Sequence, residues 1–303
     1  MTAVVSKLSE MVIMIMIGYI CAKFKLTGPE FNRHTSVVLT NVLLPATILK
    51  AMTVLSGDVN DGEVAFVILL FFIMMGIAGI VGIFFSLFLP VPKDERGILV
   101  GVIMYMNISF VGFPLVESYY GSQGMFYACL SCVPMNLLMF SVGVAGISGN
   151  MAESLNLKRL LNLPLISTVI GIVLILFQLE LPEIANSCIA SLASATIPIS
   201  MIILGSSLAA IPMRSALGDW RIYMVAFARL ILCPLVTYFV LRLFVDSEMI
   251  IGVVTILAST PVAVLMTPLS VQYGKSDVLP SKSIFITTVL SVLTMPAIIW
   301  LLL

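Results

Sequence analysis

The sequence predicts an all-α integral membrane protein with about ten transmembrane helices. Of its 303 residues, 60% are hydrophobic and only 10% are charged, and the apolar residues form long runs separated by short polar connections. A soluble domain of this size cannot bury that much apolar surface. The connections are also too short to fold alone. We therefore interpret residues 1–303 as a single unit embedded in the lipid bilayer.

Runs of about 20 apolar residues are long enough to cross a bilayer as helices. The predicted spans are residues 4–24, 31–56, 64–90, 97–116, 124–148, 163–179, 188–211, 220–244, 249–272 and 280–303. The first run lacks a strongly basic start and a small-residue cleavage site, so we interpret it as a span rather than as a signal peptide.

The distribution of charge along the connections predicts the orientation of the chain. Basic residues lie in alternate connections, beginning with the one after the first span, and the intervening connections are acidic except for Arg242. Because basic residues near span ends remain in the cytoplasm, both termini are predicted outside the cell. The central loop, 149–163, is predicted to be cytoplasmic, with the protein in the plasma or inner membrane.

Short matches between the two halves of the chain indicate an internal repeat. They are TNVLLPATIL at 40–49 with ASATIPISMI at 193–202, Pro45 with Pro198, and Tyr120-Gly121 with Tyr273-Gly274. The prolines and the Tyr-Gly pairs share one offset of about 153 residues. Residues 1–148 and 163–303 are therefore predicted to be two repeats of five helices. An odd number of spans per repeat inverts the second one.

Helix-breaking residues lie inside the fourth and ninth spans. They are Gly112 and Pro114 in the fourth span, and Pro261 and Pro268 in the ninth. Backbone groups freed by such residues are tolerated only where protein or a water-filled cavity covers them. Each span is therefore predicted to consist of two half-helices, whose free N–H groups and positive ends form an anion site near the membrane centre. Simple kinks are the alternative.

At these residues the chain resembles the auxin efflux carrier family, which includes plant PIN carriers and bacterial malonate-type permeases. NISFVGFPL at 107–115 resembles the family stretch Asn-Thr-Gly-Phe-x-Gly-x-Pro-Leu, and ILASTPVAVLMTPLSVQYG at 256–274 resembles its second crossover helix. SMIILGSSLA at 200–209 and ARLILCPLV at 228–236 are similar to other family segments. The chain differs at Met106, where plant members have proline, and at Ile108-Ser109, which replaces Thr-Gly.

The resemblance covers essentially the whole chain and implies a function. It implies a secondary transporter, an efflux carrier, for small organic anions such as carboxylates. The anion would bind where spans four and nine cross, and transport would proceed by alternating access. Spans one, two, six and seven would form a scaffold, and spans three to five and eight to ten would carry the crossover. The resemblance also implies a homodimer.

Polar side chains near the breaks or in neighbouring spans are the candidate substrate-binding residues. They are Asn41, Asn107, Ser109, Asn136 and Thr260. The predicted crossover and helix-break residues are Pro45, Gly112, Pro114, Pro198, Pro261 and Pro268. Hydrogen bonding between helices is the alternative explanation for the amides of Asn41 and Asn136, because lipid does not tolerate them unpaired.

Charged residues inside spans are candidates for coupling or for structure. Arg229 lies well inside span eight, where it could pair with a substrate carboxylate or a crossover carbonyl, or extend towards the cytoplasmic face. Lys50 and Glu117 lie near the outer ends of their spans, at the interface or along an outer vestibule. Glu117 is also a candidate for proton coupling.

The residue content argues against enzymes and metal sites. The single histidine excludes a His-Glu-x-x-His metalloprotease, and the aspartates all lie in predicted loops. Cys129 and Cys132 have redox-like spacing, but packing is the simpler explanation within an apolar run. We therefore predict no catalytic residue, metal, cofactor or nucleic-acid partner. The alternative function is a ligand-gated sensor or channel on the same fold without net carrier activity.

Overall fold

The computed structural model describes residues 2–53, 61–149, 162–177, 179, 181–210 and 218–303. Within these ranges the regular elements are helices, and the only β-type pairing is an isolated bridge between Met106 and Val262. The central connection expected at 149–163 falls outside the described residues except at its ends. The cytoplasmic placement of that loop stays a prediction.

The helices follow one another along the chain with several interruptions. They are α1 (Thr2–Lys23), α2 (Pro29–Val38), α3 (Leu44–Thr53), α4 (Asp61–Phe88), α5 (Arg96–Met104), α6 (Phe113–Leu130), α7 (Cys132–Leu138), α8 (Val144–Ser148), α9 (Leu163–Leu176), α10 (Glu183–Ser194), α11 (Thr196–Ala210), α12 (Trp220–Phe227), α13 (Cys233–Leu241), α14 (Glu248–Ala258), α15 (Met266–Gln272) and α16 (Val278–Leu302). Single π-helical turns are π1 (Leu39–Leu43), π2 (Ile108–Gly112), π3 (Met139–Gly143) and π4 (Ala228–Leu232).

Six helical stretches of the described chain are long and apolar enough to cross a membrane. They are Pro29–Thr53, Gly62–Phe88, Ile108–Ser148, Glu183–Ala209, Trp220–Leu241 and Val278–Leu302. The predicted number was ten. Interruptions explain part of the difference: α5 has only 9 residues and therefore rises about 14 Å, less than the ~30 Å hydrocarbon core. The ten-span arrangement stays a prediction.

Polar caps determine where several helices begin. The side chain of Asn162 accepts a hydrogen bond from the amide of Leu165 at 3.0 Å at the start of α9. Asp219 accepts from the Arg221 amide at 3.2 Å at the start of α12. The Arg221 side chain also bonds both carboxylate oxygens of Asp219 and holds the pKa of that carboxyl below its ordinary value. These caps satisfy amides that have no partner within the helix.

The chain divides into two compact units. The first comprises residues 1–68, 113–133 and 161–210, and the second comprises residues 69–112, 134–160 and 211–303. The sequence had grouped residues 113–133 with the crossover-bearing spans. They belong to the first unit because α6 packs against α1 and α3, and because the hydroxyl of Tyr127 donates to Glu63.

The first unit is organised around the crossing of α1 and α11. A Cβ added at Gly205 would lie 1.9 Å from the carbonyl oxygen of Ile15, and one added at Gly18 would lie 2.2 Å from that of Ile202. These glycines therefore let the two backbones approach closely, as small residues do in membrane helix pairs. Helix α3 packs against α9 and α10 on another side of the unit.

The second unit contains the two predicted breaks. Helix α5 packs against α8, α15 and α16, and π4 packs against α16. A Cβ at Gly97 of α5 would lie 1.7 Å from the carbonyl oxygen of Gly146, so this contact also requires glycine. This packing keeps both breaks within the second unit, whereas the chain after Gly112 belongs to the first unit.

The two Tyr-Gly pairs matched in the sequence share a backbone conformation. Gly121 has a φ of 64° and divides α6 into two helical parts, and Gly274 has a φ of 68° just after α15. Glycine adopts this left-handed region without the steric cost that a side chain imposes. Both glycines thus allow the chain to leave a short helix at a sharp angle.

Candidate functional site

Two non-helical stretches interrupt the second unit in the middle of apolar sequence. The first begins where α5 ends: Tyr105 is extended, with φ −92° and ψ 123°, and the chain becomes helical again at Ile108. The second lies between Ala258, the last residue of α14, and Met266, the first residue of α15. Each stretch leaves backbone groups that need partners outside its own helix.

The two stretches form backbone hydrogen bonds with each other. The amide of Asn107 donates to the carbonyl oxygen of Pro261 at 2.8 Å, and the amide of Ala263 donates to that of Tyr105 at 3.0 Å. Met106 and Val262 face each other in the antiparallel bridge between these bonds. The breaks are therefore joined directly, as two short antiparallel strands would be.

Two further backbone groups of the breaks have partners nearby. The amide of Val262 donates to the hydroxyl of Thr287 on α16 at 3.2 Å. The carbonyl oxygen of Asn107 accepts from the amides of Val111 and Gly112 at 3.3 and 3.2 Å. The non-helical backbone of these apolar segments is thus largely buried in protein and hydrogen-bonded where partners are shown, which is the condition under which membranes tolerate such backbone.

Glycine and proline have distinct roles here. A Cβ at Gly112 would lie 2.6 Å from Cδ2 of Leu257 and 3.2 Å from Cγ2 of Thr260, so glycine permits the close contact between π2 and the second break. Two of the predicted break prolines, Pro198 in α11 and Pro268 in α15, lie in the first turn of a helix, where no amide donor is needed. Pro45 and Pro114 lie inside continuous helical stretches, each two residues after a π turn.

Tyr105 was not among the residues singled out from the sequence. Its hydroxyl donates to the carbonyl oxygen of Leu138 at 2.8 Å, at the start of π3. Its ring packs on Gly143, where an added Cβ would lie 2.4 Å from the hydroxyl oxygen. Tyr105 therefore fixes the first break to the π3 turn. A buried tyrosine whose hydroxyl needs a partner, directly before the break, was the available signal.

Asn107 is a predicted site residue whose side-chain amide has an unused hydrogen-bond donor. Its side chain is 5% exposed, and its Nδ2 atom is buried without a hydrogen-bond partner in the described part of the chain. The backbone of the same residue is fully engaged with Pro261, Val111 and Gly112. The amide is thus held in place at the junction while its donor group stays free.

Arg229 is completely buried and lies beside the second break. Its Nη2 atom donates to the carbonyl oxygen of Ala258 at 2.8 Å. The thiol of Cys233 lies beside the guanidinium, and Nε and Nη1 are buried without an oxygen partner among the described residues. A cation at this point complements the negative end of α14. Of the roles considered from the sequence, the structure contains the bond to a crossover carbonyl.

The other predicted binding residues have different surroundings. The hydroxyl of Thr260 is buried and donates to the carbonyl oxygen of Leu257 at 2.8 Å. Ser109 in π2 and Asn136 in α7 are half-buried. These three residues and Asn107 belong to the second unit. Asn41 belongs to the first unit, is exposed, and donates to the carbonyl oxygen of Val37 at 3.0 Å.

Within the described ranges, no cluster of three or more His, Cys, Asp or Glu side chains could hold a metal ion. The donors gathered at the breaks are instead amide and guanidinium N–H groups. Such donors suit oxygen acceptors of anions rather than cations.

An apolar, multi-helix chain with two hydrogen-bonded breaks and free buried donors has the features of a membrane transporter. A family model described as membrane transport protein matches residues 3–299. The chain belongs to this family, the auxin efflux carrier family that its sequence resembles.

Two archaeal proteins are similar over nearly the whole chain. An uncharacterized transporter of Methanothermobacter thermautotrophicus is 24% identical over 290 residues, which cover 95% of this chain and 94% of that protein. An uncharacterized transporter of Methanocaldococcus jannaschii is 26% identical over 303 residues, covering 96% of each protein. Both similarities extend through the two breaks.

Proposed function

We propose that this protein is a secondary transporter, an efflux carrier, that moves small organic anions such as carboxylates by alternating access. The anion binds at the joined breaks of the second unit. The observation that carries the proposal is the free Nδ2 donor of Asn107, buried at the junction without a partner among the described residues. We propose no catalytic role for any residue.

A free donor at this place favours a ligand with an oxygen acceptor. A buried polar group without a partner costs about 1–3 kcal/mol. A carboxylate oxygen bound to Nδ2 removes that cost, and the hydrogen bond is charge-assisted. Two carbonyl oxygens of the breaks already have donors, because that of Asn107 accepts from Val111 and Gly112 and that of Pro261 accepts from the Asn107 amide.

The positive charge of Arg229 makes the proposed site favour anions over cations. A buried guanidinium without a carboxylate partner is unfavourable by itself. An anion bound at the neighbouring break lowers that cost, whereas a cation raises it. We therefore assign Arg229 two roles: it positions the end of α14 through Ala258, and it supplies positive potential to the site.

The remaining candidates support these two residues. Ser109 is half-buried in π2 and supplies a hydroxyl donor. Thr260 positions the second break, because its hydroxyl donates to Leu257 and is left with only acceptor capacity. Asn136 stays a candidate for contact with the anion in the second unit, and Asn41 stays a candidate substrate-binding residue from the sequence.

We also propose that the chain is an inverted repeat of two five-helix halves in a cell membrane, with both termini outside. The shared φ of Gly121 and Gly274, and the presence of a break before each of them, support the repeat. Alternating access would follow from movement of the crossover-bearing spans against a scaffold, as the family resemblance implies. A homodimer remains the expectation from the family.

Flux measurements on the purified protein in proteoliposomes test this function. A thermal-shift screen of mono- and dicarboxylates first selects a substrate, because a ligand that binds only the native state raises its apparent stability. Flux of that labelled carboxylate that saturates with concentration supports a carrier. Ohmic current indicates a channel, and retained binding without flux indicates a sensor. Either of these last two results contradicts the proposal.

A further inference from the structure

A second polar cleft lies entirely within the first unit, apart from the joined breaks. It encloses only about 20 Å³, about the space that one water molecule needs, while Glu117 lies against Lys50. Helix α3 contributes Thr47, Lys50 and Ala51, which lie on one helical face because they are three and four residues apart. Glu117, Ser122 and Met125 of α6 and Ala193 of α10 complete the lining.

The cleft contains one cation and one carboxylate, which form a long and weak ion pair. The Nζ atom of Lys50 is 3.7 Å from Oε1 of Glu117. A well-formed ammonium–carboxylate hydrogen bond is about 2.7–2.9 Å long. The side chains are 41% and 37% exposed, so water competes for both groups. The pair is therefore a weak one that another carboxylate can replace.

We propose that Lys50 is a carboxylate-binding residue and that the cleft is an anion subsite, which Glu117 occupies when no ligand is present. A free carboxylate displaces Glu117 because it can approach the ammonium group to hydrogen-bond distance. Lys50 has three N–H donors and can bind both carboxylate oxygens in turn. The subsite rests on the proposed function only for the class of ligand, a small organic anion.

The walls restrict the shape of that anion. Ala51, Met125 and Ala193 are buried apolar side chains of the lining. The hydroxyl of Thr47 is 2.7 Å from that of Thr196, and both lie within hydrogen-bond distance of the carbonyl oxygen of Leu43. Ser122 also lines the cleft, and its hydroxyl is a donor besides Lys50. Once Glu117 has moved aside, a small carboxylate such as acetate can reach Lys50 and Ser122 between the apolar side chains.

The proposal predicts opposite effects for the two members of the pair. Glu117→Gln removes the internal competitor and keeps Lys50, so it should tighten the binding of acetate. An exposed ion pair contributes little, so we expect a two- to fivefold decrease in apparent Kd, on the order of the measured strength of such pairs. Lys50→Gln should abolish this binding, and Lys50→Arg should retain it because it keeps the charge.

The experiment is an acetate titration of the full chain in detergent. Binding is measured as the change in the thermal midpoint of unfolding, and chloride keeps the ionic strength constant. Glu248→Gln is the matched control, since Glu248 pairs with Arg242 outside the cleft and its removal should leave acetate binding unchanged. Equal acetate affinity in wild type and Glu117→Gln, no stabilisation in either protein, or retained affinity in Lys50→Gln would overturn the proposal.

The same titration in Asn107→Ala protein separates this subsite from the site at the breaks. If the cleft binds acetate by itself, the effect of Glu117→Gln persists in that background. Loss of the Glu117→Gln effect in Asn107→Ala protein assigns the acetate to the breaks and overturns the subsite. If Asn107→Ala leaves transport unchanged while the Lys50 dependence remains, the proposed function fails and the subsite stands.

Discussion

The backbone amide of Asn107 donates to the carbonyl oxygen of Pro261 at 2.8 Å, which ties together two interruptions that lie far apart in the sequence. Pro261 cannot donate a hydrogen bond itself, and its carbonyl is free because the helix ends before it. The bond holds Asn107 rigidly, while the Nδ2 atom of its side chain stays without a partner among the described residues. One residue thus joins the breaks and offers a donor to a ligand.

Truncating the side chain of Asn107 should weaken anion binding without breaking this backbone bond. Asn107→Ala removes one donor from a partly desolvated anion, which should cost about 1–3 kcal/mol, or roughly one to two decades in affinity. Asn136→Ala, on α7 of the same unit, should cost less if its amide only joins helices. Apparent affinity for a transported carboxylate in expression-matched proteoliposomes checks both. An unchanged affinity and rate in Asn107→Ala would place the site elsewhere.

Replacing Arg229 by methionine should separate stability from anion binding. The thermal midpoint of Arg229→Met should stay level or rise, because removal of a buried, incompletely paired charge is often neutral or stabilising. Anion affinity should fall more than tenfold, since a charge at ~8 Å contributes about 2 kcal/mol at an effective dielectric constant of ~20. A lower midpoint with unchanged affinity would make Arg229 a structural residue alone.

Two adjacent threonines of α16 provide a matched test of the second break. Thr287 accepts from the amide of Val262, whereas the hydroxyl of Thr288 is buried without a partner in the described chain. Thr287→Val should therefore lower stability by about 1–3 kcal/mol, because it leaves a buried amide unpaired. Thr288→Val should be neutral or stabilising. Thermal midpoints of the two variants decide, and equal effects would argue against a role for the Thr287 bond.

The close contact at Gly112 should not tolerate a methyl group. Gly112→Ala would push against Leu257 and Thr260, and overpacking of this kind costs about 1–3 kcal/mol. Gly76→Ala is the control, because an added Cβ there meets no described atom within 4 Å and alanine is the better helix former. We expect a lower thermal midpoint only for Gly112→Ala. Similar midpoints for both variants would mean that π2 can move away from the second break.

The predicted orientation can be tested with single cysteines in intact cells. Asp61→Cys at the start of α4 and Glu183→Cys at the start of α10 should react with an impermeant thiol reagent from outside. Ser154→Cys, in the central connection outside the described residues, should not react. Native cysteines are first replaced by serine or alanine. Labelling of Ser154→Cys would reverse the assignment of the central loop and of the termini.

The membrane class follows from the sequence alone, whereas in the fourth span the interruption lies at Tyr105–Asn107, before the predicted break residues Gly112 and Pro114. Hydrophobicity is a property of each residue, and a run of apolar residues has few stable environments other than lipid or a protein core. Proline and glycine likewise act locally, because one lacks an amide and the other lacks a Cβ. The family resemblance rests on the same short stretches, and the family match over residues 3–299 confirms it.

Only the tertiary structure decided which atoms those breaks meet. Tyr105 and Thr287 are ordinary residues in their own segments, and their roles depend on Leu138 and Val262, which lie elsewhere in the sequence. The placement of residues 113–133 in the first unit likewise depends on packing against α1 and α3, which linear order does not specify.

Thr260 is the clearest example of what the sequence alone could not determine. The sequence suggested a hydroxyl directed at a ligand, but the structure directs it to the carbonyl oxygen of Leu257 three residues earlier. Threonine at a helix end finds such a carbonyl within reach of its own side chain. The amide of Asn107, by contrast, remains free. The side-chain rotamer and the packing around it determine whether a polar side chain faces a ligand or its own backbone. Both are set only when the chain is folded.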